Sequence, residues 1–82
     1  MNKQEVFDVV VRTTREVLPD LEEHNFTFHD RLVDLGADSV DRAEIISIVL
    51  EDLSLSIPRV ELTSVKNIGE LTEVLYGKLQ SA

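Results

Sequence analysis

An all-α fold is predicted, a four-helix bundle of three main helices and one short helix with a long loop after the first. Apolar residues recur every three or four positions in three separate stretches. Side chains suited to helix capping or stopping stand at their ends, and the one long connection carries enough apolar anchors to be held against a helical core. With 82 residues the chain suggests a single domain, residues 1–82. A chain of this size buries only about 60–65% of the surface that its unfolded form exposes, so the core is small.

In the first stretch, Val6, Phe7, Val9, Val10, Val11, Val17 and Leu18 alternate with Lys3, Glu5, Asp8, Arg12, Arg15 and Glu16 at the spacing of an amphipathic helix. Asn2 stands where an N-cap belongs, Glu5 completes a capping box three residues later, and Pro19 stops the helix just after Leu18. Val9-Val10-Val11 would suit a strand locally, but the charges around it keep the 3.6 period and decide for helix.

Between Pro19 and Asp38 the pattern loosens. A connection of roughly twenty residues is long for a compact domain unless it is functional or pinned. Leu21, Phe26, Phe28, Leu32 and Leu35 are the anchors that would pin it, with a single turn expected at Asp30 to Leu35 before Gly36. His24 and His29 read as solvated loop residues, because neither has a second His or a Cys at metal-ligand spacing; no metal site is expected.

The second helix is expected from about Ser39 to Leu53. Val40, Ile46, Val49 or Leu50, and Leu53 form one stripe, with Ala43 and Ile45 alongside. Five acids (Asp38, Asp41, Glu44, Glu51, Asp52) against one base (Arg42) leave this stretch a balance of -4 and a strongly negative face. Because Ile45, Ile46, Ile48, Val49 and Leu50 nearly run together, the helix is either buried on more than one side or offers an apolar strip to a partner. Ser54-Leu55-Ser56-Ile57-Pro58 ends it, and Arg59-Val60-Glu61-Leu62 leaves room for one short turn of helix. A last helix capped by Ser64 then carries Val65, Ile68, Leu71, Val74, Leu75 and Leu79.

Composition narrows the function. Sixteen acidic against eight basic residues give a formal charge of -8, which repels nucleic acid and anionic membrane and attracts protein surfaces rich in Lys and Arg. With no cysteine there is no disulfide framework and no thiol nucleophile in the chain itself, so thiol chemistry would have to be imported. Four aromatics and no Trp point to an aliphatic core. No apolar run approaches a signal segment or a membrane span of about 18–20 residues, and a cytoplasmic monomer is expected.

The stretch Leu35-Gly36-Ala37-Asp38-Ser39-Val40-Asp41-Arg42-Ala43-Glu44 carries the functional question. Ser39 could simply cap the second helix. Asp38 can do so instead, accepting from the amides near Asp41, and Ser39 then becomes the first helical residue with its hydroxyl free. A phosphodiester formed there would sit at the positive end of the helix dipole, beside unpaired backbone N–H groups. As a catalytic nucleophile Ser39 is poorly equipped, with no G-x-S-x-G pattern and no His partner beyond the two in the loop. Its pattern suits modification.

Leu35-Gly36-Ala37-Asp38-Ser39-Val40-Asp41 resembles the D-S-[LIV] attachment motif of acyl carrier proteins. The resemblance extends over nearly the whole chain: length, acidity, the long loop after the first helix, Ile57-Pro58 after the second and the closing helix. It implies a bundle of acyl-carrier type, non-catalytic, with Ser39 bearing a 4′-phosphopantetheine arm donated from coenzyme A by a Mg²⁺-dependent phosphopantetheinyl transferase. It also implies that Asp38, Asp41 and Glu44 dock basic partner surfaces, with Val40 and Ala43 as short apolar contacts beside them.

Arg42, Leu50 and the short, weakly acidic segment at Arg59 depart from the pattern of fatty-acid carriers. Gly36 to Ile45 is most similar to free-standing polyketide carriers, and among those to acetyl-donor carriers of β-branching cassettes that serve a hydroxymethylglutaryl-synthase-like enzyme. Acyltransferase and ketosynthase are the other partners implied, and Arg42 and Leu50 are specificity candidates, Leu50 reading first as core. A fatty-acid carrier, a peptidyl or D-alanyl carrier, and an unmodified helical interaction module remain the alternatives.

Overall fold

In the computed structural model, which describes residues 1–62 and 64–81, the first helix, α1 (Lys3–Val17), begins where Asn2 can cap it. The Glu5 N–H donates to Asn2 Oδ1 at 2.8 Å and the Asn2 N–H donates to Glu5 Oε1 at 2.9 Å, the two halves of the expected capping box. The helix ends ahead of Pro19, and the Leu18 N–H closes its last turn on the Thr14 carbonyl at 2.8 Å. Val6 and Val10 are fully buried, and Phe7, Val9 and Val11 nearly so, because α1 packs against both other helices. Burial stabilises by about 1.5–3 kcal/mol for each such side chain, which outweighs the few tenths that a valine costs in helix propensity.

α2 (Ser39–Asp52) buries Ile45, Val49 and Leu53, spaced by four, against α1. The stripe expected from the sequence holds at Val49 and Leu53 and fails at its start. Val40 lies 73% exposed and Ile46 is only half-buried, whereas Ile45 is the fully buried member. Leu50 is half-buried and packs against the core, as its first reading had it. A short 3₁₀ turn at Arg59–Leu62 follows, with Leu62 buried.

α3 (Ile68–Ser81) buries Ile68, Leu71 and Leu75. It begins four residues after Ser64, and Asn67 takes the capping role: the Glu70 N–H donates to Asn67 Oδ1 at 2.8 Å. The start is set by tertiary contact. The first two amides of α3, those of Ile68 and Gly69, donate to the carbonyls of Asp30 and Phe28, each at 2.8 Å, so the long loop satisfies N–H groups that a helix start leaves without partners. Among the described residues there is no strand.

The long loop is thus pinned from several sides. Its expected turn is present: the Leu35 N–H donates to the Arg31 carbonyl at 3.1 Å and the Ala37 N–H to Leu32 at 3.0 Å. A further 3₁₀ turn, Pro19–Leu21, was not legible in the apolar pattern. The Phe28 ring lies 4.7 Å from that of Phe7, and Arg15 donates to the His24 carbonyl at 2.9 Å while covering the Phe26 ring. His24 is not a plain solvated residue. It is half-buried, 3.1 Å from Asp30 Oδ2 and edge-on to Phe26. Burial pushes the Asp30 carboxyl up, but the Thr27 N–H at 2.8 Å and the His24 ring outweigh it and hold the group below its ordinary value.

Candidate functional site

Gly36 adopts φ 97°, a left-handed conformation that costs glycine little, and there the chain turns out of the loop toward α2. Ala37 is buried behind it, and Asp38 is extended, with φ -80° and ψ -176°. The Asp41 N–H donates to Asp38 Oδ1 at 2.8 Å, and the Asp38 N–H reaches back to Asp41 Oδ2 at 3.3 Å. Asp38 is the N-cap, as expected, and Ser39 is the first helical residue. The Ser39 side chain is exposed, and its hydroxyl makes no hydrogen bond among the described residues.

The residues expected to act with Ser39 do not share one face. Along α2, Ser39, Arg42, Ala43 and Ile46 follow the spacing of a single row, and that row forms one wall of a cleft of about 510 Å³. Leu32 and Val33 of the loop contribute to the cleft, as do Leu62, Val65, Ile68 and Leu71 across from α2. Val40 and Glu44, four residues apart, belong to a second row that is exposed to solvent, continued by the exposed Glu51. Asp38 is exposed and Asp41 half-buried, their carboxylates engaged in the cap. The six docking candidates thus divide between an outer acidic row with an exposed valine, the cap itself, and the cleft wall that takes Arg42 and Ala43.

The charge around the cleft is opposite to that of the chain. Among the described residues, the basic side chains that line it are Arg31, Arg42 and Lys66, and no carboxylate or imidazole does. Arg31 stands 3.9 Å from Asp34. The side chains of Arg42, a half-buried residue, and Lys66 make no ion pair or hydrogen bond among the described residues, while the Lys66 backbone N–H donates to Glu70 Oε1 at 3.0 Å. The cleft therefore has apolar walls, a cationic rim and a free hydroxyl at its edge. The loop and the approach to α3 supply this rim from positions far apart in the chain, which is why no local pattern revealed it.

Comparison with known proteins gives the family and the fold. The family model described as "Phosphopantetheine attachment site" matches residues 8–75. The chain is 66% identical, over all 82 residues of both chains, to the polyketide biosynthesis acyl-carrier-protein AcpK of Bacillus subtilis (strain 168). It also superposes, with a TM-score of 0.90 and 50% identity, on a chain in the crystal structure of the curacin biosynthetic pathway HMG synthase in complex with acetyl donor-ACP. That match covers 95% of this chain and all of the other.

Proposed function

The chain belongs to the phosphopantetheine-attachment family of acyl carrier proteins, and from that premise we propose that it is a single carrier domain loaded at Ser39 and serving polyketide assembly, with acetyl for β-branching as its cargo. The observation that carries the site is the Ser39 hydroxyl, exposed and without a partner among the described residues at the edge of the cleft because Asp38 has taken over the capping role. Apolar walls beneath a cationic rim fit a group with a phosphate at its root and an extended, weakly polar body.

In the loading step, Ser39 Oγ bonds to the pantetheine-bearing phosphorus of coenzyme A, the pyrophosphate P–O bond breaks, and the adenosine-bearing phosphate leaves. The serine proton passes to a base on the transferase. Once attached, 4′-phosphopantetheine supplies a terminal thiol on which an acyl group is held as a thioester, which accounts for a chain without cysteine. The carrier itself has no catalytic residue. It acts by fixing the thioester's root at Ser39 and so raising its effective concentration at each partner's active site.

The exposed row of Val40, Glu44 and Glu51, beside the capping carboxylates of Asp38 and Asp41, offers basic partner surfaces an acidic strip with one apolar contact. The partners are a phosphopantetheinyl transferase, an acyltransferase, a ketosynthase and a hydroxymethylglutaryl-synthase-like enzyme, met by a cytoplasmic monomer. No helix among the described residues is long and apolar enough to cross a membrane.

Incubating the chain with coenzyme A and a broad-specificity phosphopantetheinyl transferase and measuring intact mass tests the reading. Wild type should gain the arm and Ser39→Ala should not. A wild type without added mass sinks the carrier reading, and a modified Ser39→Ala sinks the site. Transfer of acetyl from the loaded chain to a hydroxymethylglutaryl-synthase-like enzyme, compared with malonyl and longer thioesters, tests the cargo.

A further inference from the structure

Arg42 follows Ser39 by three positions, so the two side chains are neighbours on one face of α2, and both line the cleft. Arg42 is half-buried as a residue, and its guanidinium makes neither ion pair nor hydrogen bond among the described residues, in a chain that carries a charge of -8. Its stem packs along the cleft while its head has no partner among the described residues, so one helical turn from an attachment hydroxyl it is available to an anion. Lys66, exposed, lines the same cleft from outside α2; its backbone N–H donates to Glu70 Oε1 at 3.0 Å, and its ammonium makes no ion pair among the described residues. Arg42 also does not belong to the exposed row of Val40 and Glu44, so its placement favours a ligand in the cleft over a carboxylate on a partner enzyme.

We infer that Arg42, with Lys66 across the cleft, holds the phosphodiester of the arm on Ser39 and so tilts the root of that arm over the cleft. This rests on the reading of Ser39 as the attachment site. Arg42 is a positioning residue: it touches the phosphate and not the thioester. A guanidinium presents two parallel N–H donors to phosphate oxygens, which a lysine at the same position matches in charge but not in geometry. The phosphodiester, a monoanion at neutral and mildly acidic pH, supplies the negative charge that the described lining of the cleft lacks.

The test uses wild-type, Arg42→Lys and Arg42→Gln chains in apo and holo forms, with attachment established by intact mass. Arginine side-chain NMR reads the Arg42 Nε–H directly, and ³¹P NMR reads the phosphodiester. On conversion to the holo form the wild-type Nε–H signal should shift and its exchange with water should slow. The ³¹P signal should differ between wild type and Arg42→Gln and be partly restored in Arg42→Lys. An Arg42 signal unchanged between apo and holo wild type, in a sample whose mass shows the arm, overturns this assignment and leaves the carrier reading intact. No added mass on wild type overturns both. The apo-to-holo comparison needs no variant, so it decides the matter even where a substitution unfolds the chain.

Discussion

The Asp41 backbone N–H donates to the Asp38 carboxylate at 2.8 Å, and this bond releases the neighbouring serine from capping duty. Replacing Asp38 by Ala removes the cap and should cost about 1 kcal/mol of stability, while Asp38→Asn, an equally good cap, should retain most of it. The two variants separate structure from charge. Urea denaturation of the apo chain reads the first, and the rate of arm attachment reads the second. Asp38→Asn should be modified more slowly at near-native stability if the carboxylate also steers the transferase.

Glu44 is exposed and belongs to the outer row with Val40. Reversal to Lys should leave stability within roughly 0.5 kcal/mol. It should lower kcat/KM with a basic partner by roughly three- to tenfold at low salt, the difference shrinking as ionic strength rises, because rim charges act on encounter and are screened over a Debye length. A salt series with the transferase, in which Glu44→Lys behaves as wild type throughout, would remove Glu44 from the docking surface.

What the sequence disclosed follows from how local each signal is. The capping box at Asn2 and the cap at Asp38 involve residues three apart, so spacing offered both, whereas the return bond from the Asp38 N–H to the Asp41 side chain came only with the structure. The exchange of Val40 for Ile45 in the buried stripe of α2 was not accessible in this way. Val40 and Ile45 are both apolar, and only the position of α1 decides that Ile45 is buried and Val40 exposed. The same holds for the start of α3, where Ser64 and Asn67 are both competent caps and the carbonyls of Phe28 and Asp30, some forty residues upstream, favour the second. Arg31, Arg42 and Lys66 meet at one cleft only after folding, and a count that treated Arg42 as one base among the acids of α2 could not separate it from them.

At Gly69 the long loop lies close against α3. A Cβ at that position would stand 2.7 Å from the Phe28 carbonyl oxygen and 2.9 Å from Phe28 Cβ. Neither atom is the flexible end of a side chain. Alanine favours a helix over glycine by up to about 1 kcal/mol, but the overlap must push the loop away, at a cost of roughly 1–3 kcal/mol and the loss of the bond from Gly69 N–H to Phe28. Gly69→Ala should therefore destabilise the chain in urea. By contrast, Gly77→Ala, where a Cβ meets nothing within 4 Å, should be neutral or stabilising.

Asp30 ties the loop together from both ends, since its carboxylate accepts from Thr27 and His24 and its carbonyl accepts from Ile68. Burial opposes the charged carboxylate, yet these donors, with a smaller contribution from His29, hold its pKa below the ordinary 3.8. A depressed carboxyl stabilises the folded chain fully above the unfolded value and loses that contribution as pH falls through the folded one. Wild type should thus lose stability on acidification below about 3.8 more steeply than Asp30→Asn, which has no such proton to bind. The other carboxylates are common to both proteins, so the difference between their urea midpoints as a function of pH isolates Asp30. Hydrogen exchange should locate the loss: the Thr27, Ile68 and Gly69 amides, whose acceptors lie in this loop, should lose protection before the α1 amides of Val9 and Val10. Parallel midpoints for the two proteins from neutral pH to below 3 would show that the Asp30 charge does not hold the loop.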